Sequence, residues 1–264
     1  MHAVVGVPRR RKRSCKWREI SAEIPEFWVA NMTGRPFLEL SEIDHGCTKR
    51  MGCKASTTAI AVFIICELDE FHRGSLQSED EDDLIHGLLS VVFWEFSSGV
   101  GGRLNTPRAL SRAKAIVVGT KNAPPQPINE IIAHIKRSRQ LLNVFQIAGA
   151  LLEAQQIKYL QMSFASKLLT FMDPNVAAVY DAIISLRLEK DPDPELRKLF
   201  VSTKMPTSKN AKVSQATAYA AWCRWCAKKA SDMNAQGTKW LDWNGTANRW
   251  RAVDIERAFF ALGR

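Results

Sequence analysis

Between residues 163 and 188 the chain ends one helix, passes through a short apolar segment and begins another helix. Lys167 starts an apolar stretch, 167–172, that is predicted to be a short helix. Asp173-Pro174 ends it, because the residue before a proline is driven out of the helical region. After the apolar run 176–180, Asp181 is expected to cap a second helix over 182–188. We expect this reversal to bring the amine of Lys167 and the carboxylate of Asp181 into one cleft.

An amine and a carboxylate in one cleft have the chemistry needed to break a glycosidic bond. The carboxylate stabilises a positively charged sugar, and an amine whose pKa is lowered by desolvation acts as a nucleophile. The alternative is a surface lysine and an aspartate that only caps a helix. The capping and catalytic roles of Asp181 are compatible, because backbone N–H groups would hold the capping carboxylate in place.

Most of the chain beyond residue 80 has helical patterns. The acidic run 79–83 suits a helix start, since negative charge is favourable there. Thr106-Pro107 is typical of an N-cap and the first helical position. The fold class is therefore predicted to be mainly α, with further helices over 84–96, 106–119, 128–137, 140–153, 213–231 and 252–262, and a hairpin over 155–166.

The segment from Lys167 to Asp181 resembles the catalytic segment of the helix-hairpin-helix DNA glycosylases, on the 8-oxoguanine glycosylase branch. In that family an essential aspartate follows an apolar segment at a helix start, and 177–181, Ala-Ala-Val-Tyr-Asp, fits that pattern. The segment Trp250 to Glu256 is similar to the last helix of compact prokaryotic members. The similarity covers roughly 85–262. It implies a helix-hairpin-helix glycosylase fold in which Lys167 and Asp181 are catalytic.

The sequence departs from that family in two places. The family hairpin is rich in glycine, whereas 159–166 contains none, and the spacing from Lys167 to Asp181 is several residues shorter. Both departures indicate a divergent branch. The resemblance implies that hairpin amides, with Ser163 and Ser166, contact the DNA backbone, and that a structural monovalent cation accompanies the hairpin. No other cofactor or metal is expected.

The formal net charge of +10 favours a polyanionic partner such as nucleic acid, although such charge also serves solubility. Residues 1–20 are expected to form a flexible basic arm, followed by a helical domain over 21–264 that could divide near 100–127. Along the DNA backbone we place two groups of arginines, the arm residues Arg9, Arg10 and Arg11 and the helical pair Arg108 and Arg112. The arm could equally be a solvated tail.

An enzyme that acts on a base in duplex DNA needs a pocket with stacking and hydrogen-bonding groups. The candidates are Phe171, Trp243, Trp250 and Asp254, although core packing is the alternative for each aromatic residue. Six scattered cysteines favour a reducing cytoplasm, and neither a membrane span nor a secretory signal is expected. Cys223 and Cys226 are read as packing residues of a helix; the alternative is a zinc site with Cys47 and Cys53.

The expected function is that of a monomeric DNA glycosylase that flips out a modified or damaged base, excises it and leaves an abasic site. Compact prokaryotic proteins of this kind are associated with defence against bacteriophage, which would make a hypermodified base such as a glucosylated cytosine the target. Two alternatives stay open: a helical DNA-binding or regulatory protein without chemistry, and a host repair glycosylase for oxidised or alkylated bases.

Overall fold

A computed structural model describes residues 69–97, 106–241 and 246–261, all within the compact unit formed by 55–264. This part is mainly helical, with one two-stranded antiparallel ribbon, so the predicted mainly α class is confirmed. The basic arm with Arg9, Arg10 and Arg11, the predicted boundary at residue 20, and Trp243 all lie outside the described residues.

The described elements follow one another along the chain with short connections. The described helices are α1 (69–77), α2 (Glu81–Ser97), α3 (Thr106–Val118), α4 (Ile128–Asn143), α5 (Ile147–Ala154), α6 (Met162–Met172), α7 (Ala182–Lys190), α8 (Pro194–Arg197), α9 (Lys209–Ala235) and α10 (Ala252–Ala261). The ribbon β1 (Trp240–Leu241) and β2 (Ala247–Asn248) lies between the last two helices, with Trp240 opposite Asn248.

The core forms around α6, which is buried along nearly its whole length. α2, α4 and α5 pack against it, while the long helix α9 packs on α5 and α10. Trp222 of α9 and Tyr180, in the segment before α7, are among the largest fully buried side chains. α6 is thus enclosed by other helices, and polar groups on it are withdrawn from water.

The structure corrects two helix boundaries. Residues 128–143 form one continuous helix instead of breaking near residue 138, because Arg139 is buried and donates hydrogen bonds to the carbonyls of Leu76 and Ser78 (3.4 and 2.9 Å). The predicted hairpin over 155–166 is shorter: the turn occupies 155–161, and α6 already begins at Met162. Lys167 consequently lies in the middle of α6 and not at its start.

The turn between α5 and α6 contains a left-handed residue in spite of its lack of glycine. Tyr159 has φ of 72°, a conformation that bulky side chains rarely adopt and that glycine adopts freely. Its side chain is 43% exposed. The turn therefore holds an aromatic ring in a backbone conformation that costs on the order of 1–3 kcal/mol.

Candidate active site

A hydroxyl clamp holds the segments of Lys167 and Asp181 together. Ser166, one residue before Lys167, accepts a hydrogen bond from the backbone N–H of Tyr180, one residue before Asp181, at 3.0 Å. The same hydroxyl lies 2.9 Å from the carbonyl of Ser163 and 3.3 Å from that of Tyr180, to which it donates. The clamp is fully buried, so Ser166 is a positioning residue, and its placement does not suit the predicted contact with the DNA backbone.

Asp181 is the N-cap of α7, as its sequence pattern predicted. Its Oδ1 accepts hydrogen bonds from the backbone N–H groups of Ile183 (2.9 Å) and Ile184 (3.0 Å). These bonds fix the carboxylate at the positive end of the helix dipole and leave Oδ2 outside the cap. A half-buried carboxylate held in this way can stabilise a positive charge that develops beside it.

Lys167 is buried, with 7% of its surface exposed. Its neighbours along α6 are buried as well and are mostly apolar, so the amine of Lys167 is carried on a largely apolar part of the helix. The charges of Lys167 and Asp181 both act on the carboxyl group of Glu256, in α10. We call Lys167, Asp181 and Glu256 the charged cluster, because the first two both contribute to the electrostatic environment of the third.

Glu256 was missed by the sequence analysis, although it closes the segment Trp250 to Glu256 that carried part of the resemblance. It is 5% exposed. Burial raises its pKa from 4.5 to about 8; Arg257 opposes this shift, and Asp181 adds to it. A carboxyl with such a pKa is mostly protonated at neutral pH. In sequence, the one available signal was its place between the apolar residues Ile255 and Phe259 on an amphipathic helix.

Helix α9 supports the segment that leads to Asp181. Trp222 donates from Nε1 to the carbonyl of Val179 (2.9 Å), and its ring packs against Phe259 of α10 with centroids 5.2 Å apart. Arg187 of α7 lies over the Phe259 ring, with its guanidinium carbon 4.0 Å from the ring centre. α7, α9 and α10 are thereby tied together next to the site.

The two cysteines of α9 serve packing. Cys223 and Cys226 are fully buried, and the thiol of Cys223 lies 3.9 Å from the carbonyl of Ala178, to which it donates. Burial raises the pKa of Cys223 to about 12 and also raises that of Cys226. Within the described ranges no group of three or more His, Cys, Asp or Glu side chains is arranged to hold a metal ion. Cys47 and Cys53 lie outside those ranges.

Of the residues predicted for the base pocket, Phe171 and Asp254 are both held by contacts inside the protein. Phe171 is buried near the end of α6, where its ring meets that of His72 at 4.4 Å. Asp254 is paired with Arg251, whose Nε and Nη2 both lie 2.9 Å from its carboxylate. The carboxylate of Asp254 is thus already paired with the guanidinium group of Arg251.

Trp250 is half-buried and lines a cavity of about 350 Å³ at the start of α10. Asn234 holds its backbone with two hydrogen bonds of 2.9 Å. The lining also includes Asn175, Arg249 and Arg251 but neither of the two predicted catalytic residues. The cavity is open, polar and basic, unlike the buried cluster around α6.

A basic surface adjoins the cluster; we call it the turn–loop surface and define it by 155–161, 198–207 and the first turn of α9. Gln155 bonds to Gln215 (3.2 Å), whose amide donates to the carbonyls of Ser202 and Lys204, so the three segments are joined. The hydroxyl of Tyr180 accepts from the N–H of Val201 at 2.8 Å, which ties the loop to the residue before Asp181.

The charged side chains of the turn–loop surface are all lysines, and three large apolar residues are exposed on it, Tyr159, Phe200 and Met205, of which Met205 is 65% exposed. The first turn of α9 contains lysine and no acidic residue, which is unfavourable at the positive end of a helix dipole. An anion bound there would offset this cost. The surface carries five lysines: Lys158, Lys198, Lys204, Lys209 and Lys212.

The remaining predicted DNA contacts are placed as follows. Ser163 is half-buried in the first turn of α6, directly after the turn–loop surface. Arg108 and Arg112 are exposed on α3, which packs on α2. Of the described helices, none combines the length and the apolar character needed to cross a membrane.

Comparison of the chain with protein-family models finds no match, and comparisons with curated proteins and with solved structures find none either. The function therefore has to be argued from the site, because a fold of this class does not define an activity.

Proposed function

We propose that the protein is a DNA glycosylase whose reaction centre is the cluster of Lys167 and Asp181. The observation that carries the proposal is the Ser166–Tyr180 clamp, which fixes an amine-bearing helix against a capped carboxylate (Tyr180 N to Ser166 Oγ, 3.0 Å). Nucleophile and charge-stabilising carboxylate are the two groups that cleavage of an N-glycosidic bond requires.

The roles follow from the two placements. Asp181, held by two backbone N–H groups, would stabilise the oxocarbenium-like sugar as the base departs. Either the Lys167 amine would attack C1′ as the bond from C1′ to the base breaks, with water then hydrolysing the Schiff base to an abasic site and freeing the lysine, or Lys167 would keep the cleft positive while water attacks C1′. Its middle position in a buried helix gives the amine a short reach, which favours simple base release over strand cleavage. We therefore expect an abasic site as the main product and little lyase activity.

The turn–loop surface supports DNA as the substrate. Its lysines and the unfavourable charge at the start of α9 suit a phosphate backbone, while Tyr159 offers a ring for stacking. Because Val201 of the loop is bonded to Tyr180, DNA on this surface would lie beside Asp181. The amides of the turn 155–161 would bind a phosphate, with a monovalent cation there in the manner of the family that the sequence resembles.

The target base follows from the resemblance alone. We propose a modified base, with a hypermodified phage base such as glucosylated cytosine ahead of oxidised or alkylated host bases. The protein would act as a monomer in the cytoplasm. Purified protein is incubated with unmodified DNA, oxidised or alkylated DNA and modified phage DNA, and the released bases are identified by mass spectrometry.

The decisive variants are Asp181→Asn and Lys167→Gln. Asp193→Asn is the matched control for the first, because Asp193 caps α8 through the N–H of Glu195 (2.8 Å) on an exposed segment. Lys228→Gln, on the exposed part of α9 and outside the turn–loop surface, is the control for the second. Base release lost in both site variants and kept in both controls supports the proposal.

A non-catalytic DNA-binding protein is the second candidate, favoured by the turn–loop surface. Such a protein would bind DNA with the same affinity whether it is wild type or carries Asp181→Asn or Lys167→Gln. It would release no base from any of the DNA samples. Absence of base release by a folded, DNA-binding wild type therefore decides for this candidate.

A further inference from the structure

Tyr159 is an aromatic residue that lies at the surface in a strained backbone conformation. Its φ is 72° and it is 43% exposed. The turn is anchored in the core on both sides of it, because Ile157 and Leu160 are only 1% and 3% exposed. The N–H of Leu160 donates to the carbonyl of Ile157 at 3.1 Å and closes the turn between these anchors. The buried anchors hold Tyr159 in the left-handed region.

A second set of contacts fixes the turn from the segment before α4. The backbone N–H of Lys158 donates to Oε1 of Gln126 at 3.0 Å, and the Lys158 amine donates to the carbonyl of Pro124 at 2.8 Å. The turn is therefore held both from the core and from this segment, and Tyr159 carries its ring on a fixed backbone. A group that is fixed before binding loses less freedom when a ligand stacks on it.

The ring of Tyr159 belongs to an apolar patch on a basic surface. Gln161, two residues further along the chain, contacts Met205 of the loop, with 4.0 Å between Nε2 and Sδ. Met205 is 65% exposed, and Phe200 of the same loop is 37% exposed. The charged residues of the turn–loop surface are all lysines, so none of its own side chains repels an anion. Such a surface suits a ligand that combines flat apolar faces with negative charges.

A DNA strand has both properties, but a fully paired duplex offers only one of them. In a duplex the base faces are covered by the neighbouring pairs, and only phosphates and base edges are open to a protein. An aromatic ring stacks on a base whose face is uncovered, as in a single strand or an opened duplex. Paired DNA on this surface would engage the lysines and leave the exposed apolar residues without a partner.

We propose that the turn–loop surface binds an unpaired DNA strand, with the ring of Tyr159 stacked on one nucleobase and the lysines against the phosphates. This inference rests on the proposed glycosylase function, and it narrows the substrate class to DNA whose target strand is single or locally opened. Glycine would adopt the φ of Tyr159 freely. The ring therefore serves binding at some cost to stability.

The test is the affinity of the wild type, Tyr159→Gly and Tyr159→Phe for three labelled probes, measured by fluorescence anisotropy. The probes are a single-stranded oligodeoxythymidylate, its fully paired duplex with oligodeoxyadenylate, and a duplex with a central unpaired stretch. The wild type should bind both unpaired probes roughly tenfold or more tighter than the paired duplex. Loss of one stacked base should raise the Kd of Tyr159→Gly for the unpaired probes roughly ten- to a hundredfold, whereas Tyr159→Phe stays within about a factor of two of the wild type.

The chain offers a matched control at the other end of α5. Phe145 also has a positive φ, 60°, and is 71% exposed, but it lies outside the turn–loop surface. Phe145→Gly should leave the Kd for every probe unchanged. Both glycine variants should keep a Tm within about 4 °C of the wild type, since relief of strain offsets loss of the ring. Tyr159→Asn, which tolerates the left-handed conformation but has no ring, should repeat the effect of Tyr159→Gly.

Three outcomes overturn the proposal. They are equal Kd values of folded wild type and Tyr159→Gly for the unpaired probes, an equally large effect of Phe145→Gly, and tighter binding of the wild type to the paired duplex than to the unpaired probes. If binding of the unpaired probes depends on Tyr159 although no DNA sample yields a free base, only the proposed glycosylase function fails.

Discussion

Replacing Ser166 by alanine is the sharpest perturbation of the candidate site that leaves both predicted catalytic residues in place. The change removes the acceptor of the Tyr180 N–H (3.0 Å) and the hydroxyl donor to the carbonyls of Ser163 and Tyr180. A buried N–H without a partner costs roughly 1–3 kcal/mol. For a domain of this size, that corresponds to a decrease in Tm of roughly 2–12 °C.

A fall in catalytic rate should accompany the loss of stability and be separable from it. Without the clamp, the segment that ends in Asp181 can move relative to Lys167, and a displacement of about 1 Å is enough to lower a rate on the order of a hundredfold. Single-turnover base release measured well below the Tm separates this effect from unfolding. The rate should fall about a hundredfold, while DNA affinity stays within about a factor of two because the turn–loop surface is unchanged.

Ser185→Ala is the matched control. Ser185 is also buried; it donates a hydrogen bond to the carbonyl of Val201 at 2.8 Å and interacts with the Tyr180 hydroxyl, but it does not bridge α6 and the Asp181 segment. It should lose stability without a comparable loss of rate. Equal rates for Ser166→Ala and Ser185→Ala would refute the reasoning that the clamp positions the reaction centre.

Three further outcomes are expected. Asp181→Asn should lower base release by roughly a thousandfold or more with DNA binding retained, since a transition-state charge interaction is worth several kcal/mol; a rate equal to that of the wild type would contradict this. Lys204→Gln with Lys209→Gln should reduce the salt dependence of DNA affinity by about two units in the log–log slope, and an unchanged slope would remove these lysines from the interface. Because the pKa of Glu256 is higher in the folded protein (about 8) than its ordinary 4.5, its stabilising contribution is complete below pH 4.5 and is lost as the pH rises to 8. Chemical denaturation across this range should show a decline that Glu256→Gln lacks.

Much of the local structure was predictable from sequence, because it depends on neighbours in the chain. Thr106 begins a helix and Asp181 caps another, as their residue types and positions indicated. Asp173-Pro174 ends α6 as predicted. These signals act within one helical turn, through capping bonds and the steric effect of proline. They were sufficient to predict the mainly α class. They were also sufficient to predict that Asp181 lies at the start of a helix.

Only the tertiary structure decided where Lys167, Ser166 and Glu256 lie. The sequence pattern predicted Lys167 at the start of a helix. In the structure α6 already begins at Met162, and Lys167 is buried in the middle of this helix. Ser166 was expected to face DNA, but it is enclosed and bonded to Tyr180. The pKa of Glu256 is raised by burial among helices that are remote from it in the chain. Burial and the approach of distant charges are properties of the packed helices, and no local pattern encodes them.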